Sequence, residues 1–220
     1  MKKKCYSAWW AIIAYMVLPY SLFSQAWIAR HNLSPAQYQT EVTNNHANGY
    51  RLRSVNGYTS NGLEKYIAYW EKVSGPGLAA RHGLSSASYQ TTYTTLAGQG
   101  YRLSQVSGYA VNGVVKFAAI WELTTGGPIS ARHNLTAAQY QTEVTNHANA
   151  GYRLNHVNGY VVNGVEYFAA IWEKIAGPAQ IARHNLTAAQ YQSAFTSYQN
   201  LGYILKVVSG YSKGGVDLYA

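Results

Sequence analysis

The sequence predicts an α+β protein made of four tandem copies, about 51 residues each, of a helix followed by a β-hairpin, sharing one antiparallel-sheet-rich core. Three observations carry this reading. The first is a period without drift: Arg30-His31, Arg81-His82, Arg132-His133 and Arg183-His184 are spaced 51 residues apart, as are Tyr38, Tyr89, Tyr140 and Tyr191. The second is a helix start signal at the same place in each copy. The third is a tight-turn signal, Asn-Gly, between two runs rich in Val, Ile, Tyr and Phe. A short unit repeated in this way cannot bury its apolar face alone and completes its core with its neighbours.

Residues 1–26 stand apart from the repeats. Lys2, Lys3 and Lys4 form a basic n-region, Ala8 to Phe23 an apolar h-region, and Ser24-Gln25-Ala26 a small-residue cleavage site. This is the pattern of an exported protein's signal peptide. The apolar run is short for a membrane span, is broken by Pro19 and has no stop-transfer flank, so no stable span is expected once the signal is removed. Cys5 lies in the n-region with no apolar run before it, which argues against a lipid-modified cysteine. Beyond it the chain has no cysteine, so an exported product would be held by packing alone.

The copies are expected over 27–77, 78–128, 129–179 and 180–220. Gly75-Pro76, Gly127-Pro128 and Gly177-Pro178 punctuate the joints, where proline stops a ladder and glycine turns freely. In the third copy Thr136 is the expected N-cap with Gln139 three residues on, a capping box, and Leu135 and Tyr140 are placed for a hydrophobic staple. Ser34 and Gln37, with Pro35 at N1, repeat the signal in the first copy, and Thr187 and Gln190 in the fourth. Ser85 and Ser88 weaken it in the second. Tyr140, Val144 and Ala148 form the buried stripe, and Gly151, like Gly49, Gly100 and Gly202, suits the left-handed position that ends a helix.

Asn61-Gly62, Asn112-Gly113 and Asn163-Gly164 predict type I′ hairpins, with Gly214-Gly215 in their place in the fourth copy. In the return strand Tyr167, Ala169 and Ile171 alternate with Phe168, Ala170 and Trp172. A strand apolar on both faces is covered on both faces. Trp70, Trp121 and Trp172 are also one period apart, and the next would fall just beyond Ala220. The fourth copy is therefore expected to be incomplete, the chain being a fragment of a longer protein or having a degraded end, with a missing strand supplied otherwise as the alternative.

Apolar residues make up 48% of the chain and charged residues 11%, so Asn, Gln, Ser, Thr and Tyr carry the polar surface, as is frequent in extracellular proteins and carbohydrate binders. Loss of the three leader lysines lowers the formal charge from +9 to +6. The remaining basic residues are dispersed through the repeat rather than clustered, which argues against nucleic acid.

The unit ARHNLTAAQYQ, then GYRL and AAIWEK, resembles the bacterial tandem-repeat domain of exported proteins, often found beside serine hydrolase domains like class C β-lactamases. It is similar to the non-catalytic N-terminal repeats of fungal polyglycine hydrolases. The resemblance spans 27–220. It implies an accessory domain whose linked or separate hydrolase carries the chemistry. No Ser-x-x-Lys motif occurs in this chain, and Tyr198-Gln199-Asn200, which fits a Tyr-x-Asn pattern, lies in the fourth helix without a nucleophile beside it.

Two repeated features offer chemistry. Arg30, His31, Arg81, His82, Arg132, His133, Arg183 and His184 form four guanidinium–imidazole pairs that suit carboxylates, phosphates or the carbonyls of a polymer. The competing reading makes each arginine a brace to a Trp-Glu glutamate (Glu71, Glu122, Glu173) and each histidine a backbone partner at the start of the helix. Tyr58, Tyr109, Tyr160 and Tyr211 follow glycine in each hairpin and offer rings for a sugar or a flat peptide. The competing reading packs them over a facing glycine. Metal is not expected: there is no His-x3-His or Cys/His cluster, and His46, His147 and His156 do not recur in all copies. The glutamates are scattered and Asp217 is the only aspartate, so neither a catalytic set nor a cofactor is expected. The sequence thus points to an exported, non-catalytic module that binds or positions a peptide or polymer, accessory to a serine hydrolase. The alternative is a stand-alone lectin-like or cell-envelope-binding module.

Overall fold

The computed structural model describes residues 26–220; the leader, apart from Ala26, lies outside the described residues. The first copy consists of β1 (Trp27–Leu33), α1 (Pro35–Ala47), β2 (Arg51–Ser60) and β3 (Leu63–Glu71). The second is β4 (Leu78–Leu84), α2 (Ser86–Gly98), β5 (Arg102–Val111) and β6 (Val114–Glu122). The third is β7 (Ile129–Leu135), α3 (Ala137–Asn149), β8 (Arg153–Val162) and β9 (Val165–Glu173), and the fourth β10 (Leu186–Thr187), α4 (Ala188–Asn200), β11 (Gly210–Lys213) and β12 (Val216–Tyr219). The protein is α+β, as expected.

The expected helix and hairpin are present in every copy, but each carries a further strand in front of the helix. It pairs antiparallel with the return strand, giving the order β1-β3-β2 and its counterparts. The Ala-Arg-His-Asn-Leu stretch is this strand, not a lead into the helix. Its ladder skips two residues: Arg30 pairs with Ala68 and Leu33 with Tyr66, so His31 and Asn32 bulge. Asn32, Asn134 and Asn185 take positive φ there (58°, 55° and 55°), and Gly83 (64°) does the same in the second copy. The bulge hides the strand from a period-two pattern.

The cap and turn signals resolve as read, but Ala148, expected in the buried stripe, is exposed, and His147 is buried in its place. Ser34, Thr136 and Thr187 make complete capping boxes with Gln37, Gln139 and Gln190, while Ser85 caps Ser88 N alone. Gly49, Gly100, Gly151 and Gly202 lie at φ 77–83°, and the next amide reaches back to close the helix, as Tyr50 N does to Asn45 O at 2.8 Å. All four hairpin turns have positive φ at both central residues, as type I′ requires.

The four sheets do not merge into one; the core is shared in series. On β6, Phe117, Ala119 and Trp121 pack under α2, while Ala118 and Ile120 join the cluster of Tyr38, Val55 and Trp70 in the first copy. Ala169 and Ile171 likewise enter the second copy's cluster. The outer hairpin strands touch in sequence, β2 to β5, β5 to β8 and β8 to β11. Bonds across these contacts are made by side chains, mostly to backbone, as from Val55 N to Gln105 Oε1 and from Gly57 N to Ser107 Oγ, so each strand edge is covered without extending the ladder. In the fourth copy β12 ends at Tyr219, so only Leu186 and Thr187 of the leading strand are paired, against Tyr219 and Leu218.

Candidate functional site

The repeated candidate residues meet at the joints between copies. Arginine and histidine are adjacent on a strand and therefore leave it on opposite sides. The histidine turns back onto the preceding copy: His82 stands edge-on to Tyr38 and Tyr66 at 4.9 and 5.2 Å. His133 meets Tyr89 and Phe117 in the same way, and His184 meets Tyr140 and Phe168. Burial holds all three imidazoles below their usual pKa, which favours the neutral ring. His31 has no copy in front of it among the described residues and is exposed.

The arginine turns outward. Arg30, Arg81, Arg132 and Arg183 are exposed, and each guanidinium donates to the carbonyl of the residue before it. Arg30 and Arg132 come within 3.5 and 3.9 Å of helix residues Glu41 and Glu143. Thr92 and Ala194 stand at that place in the second and fourth copies, leaving Arg81 and Arg183 without a carboxylate partner among the described residues. The expected brace from these arginines to the Trp-Glu glutamates is not formed. A different arginine makes it: Arg51 reaches Glu122 at 3.0 Å and Arg102 reaches Glu173 at 2.5 Å, each crossing to the following copy. Arg51, Arg102 and Arg153 also donate to the joint carbonyls of Pro76, Gly127 and Pro178. The period marks both residue types; that the brace runs from one copy to the next depends on how copies stack.

The tyrosines fill the joints. Tyr109 lies on Gly57, Tyr160 on Gly108 and Tyr211 on Gly159. Tyr109 and Tyr160 are buried and Tyr211 half-buried, so the first two offer no open ring face to a ligand. The facing glycine belongs to the preceding copy, not to the same hairpin. The residue two places before each tyrosine completes the seat: Ser107 Oγ accepts from Gly57 N at 3.1 Å, Asn158 Oδ1 from Gly108 N at 2.7 Å and Ser209 Oγ from Gly159 N at 2.9 Å. The phenols bond within their own copy, Tyr160 to Asn134 Oδ1 at 2.8 Å and Tyr211 to Asn185 Oδ1 at 2.5 Å. Tyr58 sits on no glycine and is half-buried.

Glycine replaces that asparagine at position 83, and the first joint answers with a cluster the sequence did not single out. Tyr109 Oη donates to Glu64 Oε1 at 2.7 Å, Tyr66 Oη donates to the same oxygen at 2.5 Å, and Lys116 Nζ holds Oε2 at 2.7 Å. Burial pushes the Glu64 carboxyl up, but these hydrogen bonds outweigh it and hold it below the usual range. Glu166 is held low chiefly by its hydrogen bond from Lys213 across the third joint. Glu64 and Glu166 are one repeat position, skipped in the second copy by Val115, and that missing member masks the pattern in the sequence.

The four Arg-His pairs therefore do not converge on one groove. In the last three copies they split, histidine into the joint and arginine to the surface, while in the first both Arg30 and His31 are exposed. Among the described residues no group of three or more His, Cys, Asp or Glu side chains is placed to hold a metal ion, and no helix is long and apolar enough to cross a membrane.

A family model described as "Polyglycine hydrolase-like, structural repeat" matches the chain four times in tandem, over 24–73, 75–124, 126–175 and 177–220. No curated protein matches the chain.

Proposed function

Because this chain belongs to the polyglycine hydrolase-like structural-repeat family, we propose that it is a non-catalytic scaffold that holds a polymeric ligand for a serine hydrolase, linked or separate, outside the cytoplasm. One observation supports this most directly. The repeat spends its aromatic and imidazole groups on its own joints and leaves a guanidinium exposed at the same place in every copy. A guanidinium is an always-charged fork suited to carboxylates and to backbone carbonyls. Four of them at a constant repeat position suit a ligand that itself repeats. Tyr109 and Tyr160 are buried, which leaves the exposed arginines as the repeated group open to a ligand.

Fluorescence titration with polyglutamate, with neutral dextran as control, tests the reading. Binding to polyglutamate is expected to weaken as salt rises, because exposed charge contacts are screened within about 10 Å at 0.1 M. The Arg30→Ala/Arg81→Ala/Arg132→Ala/Arg183→Ala variant is expected to lose at least tenfold in affinity with an unchanged melt. Equal binding by parent and variant, or none by the parent, rejects the arginine row as the ligand surface.

A further inference from the structure

The exposed arginines are alike in position but not in charge environment. Arg30 and Arg132 each face a carboxylate on their own helix, Glu41 at 3.5 Å and Glu143 at 3.9 Å. Thr92 and Ala194 hold that helix position in the second and fourth copies. The contrast extends to the whole helix. Neither α2 nor α4 contains an Asp, Glu, Lys or Arg, whereas α1 and α3 contain one such residue each, and it is the glutamate beside the arginine.

Nothing else neutralises the other two guanidiniums among the described residues. Arg81 donates to Ala80 O at 2.8 Å. Arg183 donates to Ala182 O at 3.3 Å and stands 5.7 Å from the centre of the Tyr198 ring. A carbonyl and a ring face leave the net charge whole. The alternation is already present within the three complete copies, where Arg81 lies between two neutralised neighbours.

Exposed ion pairs of this kind add little to stability, but they set the charge that a ligand meets. An anionic group brought to Arg30 or Arg132 also meets a carboxylate of its own sign, and that repulsion selects against a ligand charged at every copy. A neutral amide suits those two places. Its carbonyl accepts from the guanidinium and its N–H donates to the glutamate. At Arg81 and Arg183 a carboxylate is the better match, because a charge-assisted hydrogen bond is about twice as strong as a neutral one. Sheets packed face to face lie about 10 Å apart, so these two arginines are about 20 Å apart along the row, which an extended peptide spans in about six residues.

We propose that the ligand is a sparsely acidic, extended peptide polymer, its carboxylates spaced about two copies apart on Arg81 and Arg183, with neutral amides at Arg30–Glu41 and Arg132–Glu143. This rests on the arginine row being the ligand surface and adds the charge pattern that the row selects.

Fluorescence anisotropy with two labelled peptides of equal composition tests it. One has four glutamates separated by five-residue Gly-Ser spacers, and the other has the four glutamates adjacent. The spaced peptide is expected to bind about tenfold more tightly. For that peptide Arg81→Ala/Arg183→Ala is expected to lose about thirtyfold and Arg30→Ala/Arg132→Ala about threefold, the difference between charged and neutral hydrogen bonds. Thr92→Glu/Ala194→Glu, which copies the neutralised places, is expected to lose about tenfold, and Glu41→Thr/Glu143→Thr to erase the preference by tightening the adjacent peptide. All variants are expected to melt as the parent does. Equal losses in the two arginine variants, or equal affinity of the parent for both peptides, overturn the charge pattern while polyglutamate binding keeps the row as the ligand surface. A parent that binds neither peptide nor polyglutamate overturns both.

Discussion

Tyr109 Cε1 lies 2.2 Å from where a Cβ on Gly57 would stand, and the two residues belong to different copies. The glycine is an absence of side chain that the next copy fills, so a methyl group there must push the copies apart. Gly57→Ala, Gly108→Ala and Gly159→Ala are each expected to lower stability by about 1–3 kcal/mol, the range for overpacking a core. Gly210→Ala in the fourth copy, where a Cβ meets nothing nearer than the Tyr219 ring at 3.7 Å, is expected to change it by less than about 0.5 kcal/mol. Chemical denaturation of the four variants measures the contrast, and equal effects at all four positions would detach the glycines from the joints.

The two arginine classes separate in the same assay. Arg102 is half-buried and reaches Glu173 and Gly127 O across a joint, so Arg102→Ala leaves both acceptors without their donor. A loss of about 1–3 kcal/mol is expected, partly recovered when Glu173→Gln is added. Arg132, exposed and 3.9 Å from Glu143, is expected to cost less than about 0.5 kcal/mol on truncation. A large loss at Arg132 would reinstate it as a brace.

Acid is expected to loosen the joints in two stages. Burial lowers the folded-state pKa of His82, His133 and His184 from 6.5, so between the folded and unfolded values the unfolded chain binds more protons. Stability from these residues is therefore complete above about pH 6.5 and is lost as pH falls through that value. Glu64 and Glu166, lowered from 4.5, add a second loss beginning near that pH. Melting temperature followed from pH 8 to pH 3 shows both stages, and His82→Phe/His133→Phe/His184→Phe is expected to shrink the first to the share of His156, which burial also holds low. A parent whose melt is flat between pH 7 and pH 5 would contradict the burial of these rings.

Export is open to direct measurement. Mass spectrometry of the protein recovered outside the cytoplasm is expected to find an N-terminus at Trp27, following the Ser24-Gln25-Ala26 site. Intact chain starting at Met1 in the membrane fraction would refute cleavage.

Tandem repetition makes much of this fold readable in one dimension. Ser34, Thr136 and Thr187 with their glutamines, the closing glycines and the Asn-Gly turns act within a few residues of backbone, so each marks its element wherever the copy sits. The two-sided apolarity of β9 likewise announced cover on both faces. The leading strand was not legible, because its ladder slips at His31-Asn32 and its partner lies about forty residues away. Nor were the roles of the repeated side chains. Arg102 and Arg132 both recur with the period, and a period records that a position matters without recording which neighbour it meets.

What the sequence determined by itself was the unit: its length, its helix limits, its turns and the composition of its core, all set by short-range hydrogen bonding and apolar pattern. What only the tertiary structure decided was the joint. Histidine in and arginine out, tyrosine on the preceding glycine, and Arg102 to the next copy's Glu173 follow from the offset at which one sheet packs on another. That offset is a balance of contacts between residues about fifty positions apart, and no local propensity carries it.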